Sequence, residues 1–328
     1  MRTISYREAI DEALAQEMAR DESVIVLGQG GADDAWGGAR GGTADLARRF
    51  PGRVLDTPSS ESAFVGAAIG AATRGQRPVA ELVFIDFTGV CFDQISNQAA
   101  KFRYMFGGAA RTPVVIRTVY GAGLRAGAQH SQCLYPIFTH IPGLKVVVPS
   151  SPYEAKGLLV QSIRDDDPVV FCEHKALHDT SGDVPEASYT IPFGEANVVR
   201  DGGDVTIVAI GRMVAMAEGA AKELAASGIE AEVIDPRTTS PLDTRTILTS
   251  VEKTGRLVVV DEASPRCNLA TDISALVAKE AFGSLRAPIE MVTPPHTPVP
   301  FSDALEDLYI PDAQKVLNAA KAVVGYRR

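Results

Sequence analysis

Apolar positions along the chain switch repeatedly between two periods. Ser5 and Glu8 have the spacing of a reciprocal helix cap, and Ile10, Leu14 and Met18 then recur every four residues, which predicts an amphipathic helix. A β-branched run from Val24 to Leu27 follows and stops at Gly28. The same alternation predicts strands at Val54–Leu55, Val79–Phe84, Val114–Val119, Lys145–Val148 and Val169–Phe171. Helices are predicted between them from Glu61, over Phe92–Phe106 and from Tyr153. From Asp179 to Gly203 the periodicity gives way to Gly, Pro, Ser and Asp, the composition of a linker. It then restarts with strands Val205–Ile210, Glu232–Ile234, Leu257–Val260 and Ile289–Val292. Helices over Val214–Ala226, around Asp272–Lys279 and near Asp312–Val324 alternate with them. Continuous apolar strands alternating with helices predict an α/β protein whose parallel sheets are covered on both faces. The expected organisation is a first domain over 1–185, a linker over 186–203 and a second domain over 204–328.

Length and charge sharpen this picture. At 328 residues the chain is long enough for two domains of about 150 residues each. Thirty-two basic against 41 acidic residues give a net charge of −9, so there is no basic field for a nucleic-acid backbone. No apolar stretch approaches the roughly 18 residues that span a bilayer, and the N-terminus lacks the apolar core of a secretion signal. Cys91, Cys133, Cys172 and Cys267 are scattered without a CxxC pair, as expected for reduced thiols. The expectation is a soluble, cytoplasmic protein with neither a nucleic-acid nor a membrane partner.

The candidate chemistry lies at the ends of predicted strands. The turns Gly28-Gln29-Gly30-Gly31 and Gly121 to Gly127 lack the GxGxxG spacing of a dinucleotide site. A phosphate loop GxxxxGK[ST] and a GxSxG nucleophile elbow are both missing. His174 and His178 are four residues apart but lack a third ligand, so they read as ordinary polar residues. His130 differs, lying in Ala128-Gln129-His130-Ser131-Gln132 between a Gly-rich loop and an aromatic segment, where α/β sheets place functional side chains. Glu61 follows Asp56-Thr57-Pro58-Ser59-Ser60 and opens a helix of small and apolar residues. It either completes a cap begun by Ser59 or Ser60, or stands as a desolvated carboxylate at the positive end of a buried helix.

Several segments together resemble one family. They are Asp56-Thr57-Pro58 with Glu61, Phe92-Asp93-Gln94, Lys101 to Gly108, Ala128 to Gln132, Pro142 to Val146 and Asp235-Pro236-Arg237. The family is the beta subunit of the thiamine-diphosphate-dependent dehydrogenase component of 2-oxo acid and acetoin dehydrogenase complexes. The resemblance implies a pyrimidine-binding domain, a transketolase-type C-terminal domain and an α2β2 heterotetramer with an alpha subunit that serves a lipoyl acyltransferase core. In that family the residue matching Glu61 hydrogen-bonds the N1′ nitrogen of the cofactor's aminopyrimidine, which favours the tautomer that activates the thiazolium carbon. Phe87 matches the aromatic residue packed on the pyrimidine. His130 matches the histidine that lines the channel to the reacting carbon and helps its proton transfers.

One absence and one departure bear on the match. The GDG motif with which thiamine enzymes hold diphosphate and Mg²⁺ is missing, since Gly202-Gly203-Asp204 is in the wrong order. That half of the site is therefore expected from the alpha subunit. Gln29 stands where relatives carry an acidic residue after Leu-Gly. The loop Arg164 to Pro168 matches a segment that, with the backbone at Val114, holds potassium in relatives, so Val114, Asp165 and Asp167 are its candidate ligands; a capped helix end is the alternative. The segments Tyr120 to Ala126, Phe102 to Phe106 and Pro295 to Ser302 look more like acetoin than pyruvate or branched-chain subunits. The expected reaction cleaves acetoin to acetaldehyde and transfers the remaining two-carbon unit to lipoamide. The alternatives are oxidative decarboxylation of a 2-oxo acid, and a non-catalytic core-docking subunit, which would need neither Glu61 nor His130.

Overall fold

The computed structural model of the chain describes residues 2–29 and 41–327. They form two compact units, one drawn from the described residues up to 120 and from 137–193, the other from 121–136 and 194–327. Gly30 and Gly31 of the first Gly-rich turn lie outside the described residues.

The first unit opens with β1 (Arg2–Ser5), α1 (Tyr6–Arg20), β2 (Val24–Gln29), α2 (Gly41–Arg49), β3 (Val54–Thr57), α3 (Glu61–Ala72) and β4 (Arg77–Phe84). It continues with α4 (Ala100–Met105) and β5 (Val115–Tyr120), and the chain re-enters it through α5 (Tyr135–Thr139). It closes with β6 (Lys145–Val147), α6 (Pro152–Arg164), β7 (Val169–His174) and β8 (Ser181–Val184). Its six parallel strands run in the order β6-β7-β5-β4-β2-β3. Ser5 and Glu8 cap α1 reciprocally, as their spacing predicts. Tyr6, Ile10, Leu14 and Met18 of α1 join Leu158, Leu159 and Ile163 of α6 over Val26, Val79, Val115, Val169 and Phe171 to form the core.

One cluster of charges interrupts this apolar sheet. The buried Arg117 of β5 forms ion pairs with Glu81 of β4 and Glu173 of β7, the second through both guanidinium edges, one at 3.0 Å. Burial works against charge at Glu173, but Arg117 and the bond to His178 outweigh it and hold the carboxyl below its usual range. Asp11 of α1 faces the same cluster. Its own burial pushes its pKa up to about 6; Arg117 opposes the shift, while Glu81 and Glu173 reinforce it.

The second unit runs β9 (Asn197–Arg200), β10 (Val205–Ala209), α7 (Met213–Ala226), β11 (Ala231–Asp235), β12 (Thr238–Ser240), α8 (Thr244–Thr254) and β13 (Leu257–Val260). It ends with α9 (Leu269–Glu280), β14 (Glu290–Val292), α10 (Asp303–Tyr309) and α11 (Ala313–Val324). Strands β14-β13-β10-β11 are parallel, with β9 antiparallel at the edge. Met213, Ala217, Ala221 and Leu224 of α7 and Val316, Leu317 and Ala320 of α11 build its core on Ile207, Val233 and Val258.

The structure departs from the sequence-based expectations in three places. The segment 179–203 is not all linker, because β8 pairs with β1 and β9 pairs with β11. The predicted helix over Phe92–Phe106 is of mixed geometry: a 3-10 turn over Ile85–Cys91 and a π-helical turn over Gln94–Ala99 precede α4. Residues 121–136 pack with the second unit, which a single division along the chain does not anticipate.

The raised Asp11 pKa fixes a pH dependence. Between about pH 4, where an unfolded Asp ionises, and about pH 6, the folded chain keeps a proton that the unfolded chain has released. Stability therefore falls with rising pH through that window, and the cost stands in full above it. Asp11→Asn is expected to stabilise the chain by up to about 3 kcal/mol at pH 8. The gain should vanish near pH 4, as read from urea unfolding across that range.

Candidate active site

The turn after β3 sets up the first group of candidate side chains. β2 and β3 end side by side with Gln29 opposite Thr57. A Cβ on Gly28 would lie 2.6 Å from the Glu81 carbonyl oxygen, so only glycine lets β2 and β4 run together here. Ser60 is the N-cap of α3, but its side chain makes no cap hydrogen bond, which leaves Glu61 as the first residue of the helix, at its positive end. The Ser62 hydroxyl donates to the Val90 carbonyl and ties α3 to the 3-10 turn that carries Phe87. Phe87 is half-buried and meets Phe84 edge-on, with ring centroids 6.1 Å apart. Burial pushes the Cys91 thiol up to about 12, and the nearby Glu61 carboxylate adds to the shift, so this thiol stays neutral.

The helix is less enclosed than its composition suggests. Phe64, Val65, Ala68 and Ile69 are buried, whereas Ala63, Ala67 and Gly70 are exposed and Glu61 itself is half-buried. Two buried polar atoms at this end of the sheet, Gln29 Oε1 and Thr57 Oγ1, have no hydrogen-bond partner among the described residues. Neither was singled out from the sequence as an orphaned group; the two-strand register brings them together.

The second group lies on the loop after β5. His130 is half-buried, and its N–H donates to the Gly127 carbonyl at 3.3 Å. The loop closes on itself where Gly121 N–H donates to the Gln132 carbonyl at 3.2 Å. Three buried carboxylates hold it. Glu262 accepts from Ala122 N–H at 2.7 Å, and Glu306 accepts from Gly123 N–H at 3.0 Å. Asp261 accepts from the Tyr135 hydroxyl and, through its second oxygen, from Leu269 N–H at 3.0 Å. Burial raises the Asp261 pKa, against the pull of these donors. Sequence reasoning did not pick out these carboxylates, although Asp261-Glu262 directly follows the apolar run of β13.

The remaining candidates are accounted for locally. His174 is buried, accepts from Ala176 N–H at 3.1 Å and stacks edge-on against Tyr120, while His178 meets Glu173 at 3.3 Å. Both are core residues. Asp165 is held by Lys145 at 2.7 and 2.8 Å, Asp167 by Arg103 and Lys145, and the Val114 carbonyl accepts from Val169 N–H at 2.9 Å. No group of three metal-binding side chains occurs among the described residues. A cavity of about 310 Å³ beside the His130 loop is lined by Gln132, Cys133, His296 and Tyr309, among others.

Comparison with known proteins places these groups in context. Residues 2–180 match the transketolase pyrimidine-binding domain and residues 194–316 the transketolase C-terminal domain. The chain is 67% identical to the acetoin:2,6-dichlorophenolindophenol oxidoreductase subunit beta of Cupriavidus necator, covering 98% of this chain and 97% of the relative. It is 55% identical to the protein of the same name in Bacillus subtilis, over 99% and 98%. It is 45% identical to the pyruvate dehydrogenase E1 component subunit beta of Rickettsia felis, over 98% and 99%. A split-gene transketolase described as an inactive beta4 tetramer superposes with a TM-score of 0.81 at 26% identity, covering 99% of each chain.

The orphaned hydroxyl of Thr57 gives a direct test of this end of the sheet. Because it makes no hydrogen bond among the described residues, Thr57→Val removes a buried polar atom without breaking a pair. The expected result is an unchanged or higher midpoint of thermal unfolding; a fall of several degrees would mean that the hydroxyl is bonded in the folded chain.

Proposed function

This chain belongs to the family of dehydrogenase beta subunits built from a transketolase pyrimidine-binding domain and a transketolase C-terminal domain, and from that premise we propose that it is the beta subunit of an acetoin dehydrogenase. The observation that carries the substrate is the gradient of likeness over nearly full-length alignments. Identity is 67% and 55% to acetoin oxidoreductase subunits against 45% to a pyruvate dehydrogenase subunit. As in those relatives' names, it is a subunit, and its reading requires an alpha partner. The acyl acceptor in this reading is a lipoyl acyltransferase.

The residues around Glu61 suit the aminopyrimidine of thiamine diphosphate. They offer a carboxylate at a helix N-terminus, the half-buried ring of Phe87, and two orphaned polar atoms on Gln29 and Thr57. Such a set can hydrogen-bond the edge of a polar heterocycle and cover its face. When bound, the cofactor supplies the nucleophilic carbon that adds to a ketone. Glu61 holds a proton at the ring nitrogen, a task that needs a carboxyl group able to donate and accept. His130 moves protons for the substrate and the acyl acceptor. The diphosphate and its Mg²⁺ are assigned to the alpha subunit. The potassium candidates Val114, Asp165 and Asp167 do not fit a further cation, because Lys145 and Arg103 already neutralise both carboxylates.

No helix among the described residues is long and apolar enough to cross a membrane. All four cysteines are free thiols, which supports a reducing cytoplasm as the location.

The test of substrate is steady-state turnover of the chain co-purified with its alpha partner, using dichlorophenolindophenol as electron acceptor. Acetoin is expected to be consumed much faster than pyruvate, and the reverse order would transfer the chain to the 2-oxo acid branch. Glu61→Gln is nearly isosteric but cannot exchange the proton. It should lower turnover by about 10²–10⁴-fold with little change in unfolding temperature, and near-normal turnover would remove Glu61 from the proton path.

A further inference from the structure

One buried carboxylate anchors the loop that carries His130 through three hydrogen bonds. Glu306 is fully buried, and its carboxylate accepts from Gly123 N–H at 3.0 Å, from Arg125 N–H at 3.2 Å and from the Arg125 guanidinium at 2.6 Å. Arg125 has φ +57, a left-handed conformation that side chains other than glycine rarely adopt. A buried carboxylate without partners and a left-handed arginine without support are each unfavourable, and here each offsets the other. Asp307 and Asp303 also reach the guanidinium, at 2.6 and 3.4 Å, but both are largely exposed, so solvent weakens their pull. The discriminating contact is therefore the one with Glu306.

The segment between Arg125 and His130 has little freedom of its own. Gly127, at φ +74, lies under Phe301, whose ring would be 3.2 Å from a Cβ at that position, and its carbonyl receives the His130 N–H. A shift at Arg125 is thus passed along a short, constrained stretch to the imidazole. We propose that Glu306 is a positioning residue that acts through Gly123 and Arg125 to set the direction of His130, with Arg125 as its obligatory counter-charge. This rests on the reading of His130 as a proton-transfer group.

The test is a double-mutant cycle in the complex with the alpha subunit, together with amide hydrogen exchange on the same samples. Glu306→Gln keeps the volume but removes the charge. It is expected to lower kcat by on the order of 10-fold or more at unchanged KM, because misaligned groups lose rate rather than binding. Exchange at Gly123 and Arg125 should quicken. In a His130→Ala background the same substitution should cost no more than about twofold, since both changes act through one group. Arg125→Gly keeps the left-handed backbone and both N–H donors, so it guards against loss of folding; it should follow the same non-additive pattern, and Arg125→Lys should recover part of the rate. Equal losses from Glu306→Gln in both backgrounds, or unchanged turnover and exchange, would overturn the positioning role and leave the His130 reading standing. Full turnover in His130→Ala alone would overturn both.

Discussion

Arg117 holds the centre of the first unit together, and the placement of the neighbouring strand ends follows from it. Three adjacent parallel strands, β4, β5 and β7, each contribute one member of the Glu81–Arg117–Glu173 set. One guanidinium between two carboxylates leaves a net negative charge in a buried layer, and Asp11 would add another. Arg117 keeps Glu173 ionised, while burial, with Glu81 and Glu173 adding to it, makes the ionised form of Asp11 unfavourable and raises its pKa to about 6. A buried pair is a poor source of net stability, but removing one partner strands the others at a cost of about 3–5 kcal/mol. Its value here is register. A slip of one residue would turn the arginine away from both acids and into the opposite face of the sheet.

With register fixed, the chain spends its irregular backbone at the C-terminal ends of the strands. Thr57 ends β3 just before Glu61, Phe84 ends β4 before Phe87, and Tyr120 ends β5 before the His130 loop. The same logic of buried carboxylates returns in the second unit with a different purpose. Asp261, Glu262 and Glu306 bind a loop rather than neighbouring strands, and most of their donors are backbone N–H groups. Backbone N–H groups fill most of these oxygens, and Arg125 adds the counter-charge of Glu306, which suits a loop built from glycine and alanine with few side chains to grip.

How much of this the sequence reveals depends on the range of the interaction. The capping box at Ser5 and Glu8 and the core strands β2, β5, β10 and β13 are local signals, and all appear where the periodicity puts them. Short edge strands such as β1, β8 and β9 are set by pairing between residues far apart, as in Arg2 with Val184, and four residues carry too little pattern to announce this. Glu61 and His130 stand out as candidates because each lies beside a predicted element, and Phe87 is a candidate through the family resemblance alone. The partners of those residues do not stand out. Glu306 lies far along the chain from Gly123, and only the folded second unit brings them within 3.0 Å. A usable hint was nonetheless present. Single charges inside apolar strand runs, at Glu81, Arg117 and Glu173, are a local signal of a buried network.

The aspartate cluster after α6 shows how the chain's own side chains balance charge at a helix end. Three consecutive acids, Asp165, Asp166 and Asp167, follow the helix end, where unpaired carbonyls already concentrate negative charge. A cation is required there, and this chain supplies it from its own side chains. Arg77 donates to the carbonyls of Ile163 at 3.1 Å and Asp165 at 2.8 Å and also pairs with Asp166. Arg111 takes the second oxygen of Asp166, Lys145 takes Asp165, and Arg103 joins Lys145 on Asp167. These partners come from β4, α4, the segment before β5, and β6, so the cluster ties together several elements of the unit. Guanidinium groups are suited to the task because a planar fork can hold two acceptors at once. Charge balance at the helix end is thus built into the fold of the unit, and the same loop contributes Asp167 to the wall of an apolar groove of about 620 Å³ beside Arg103 and Tyr104.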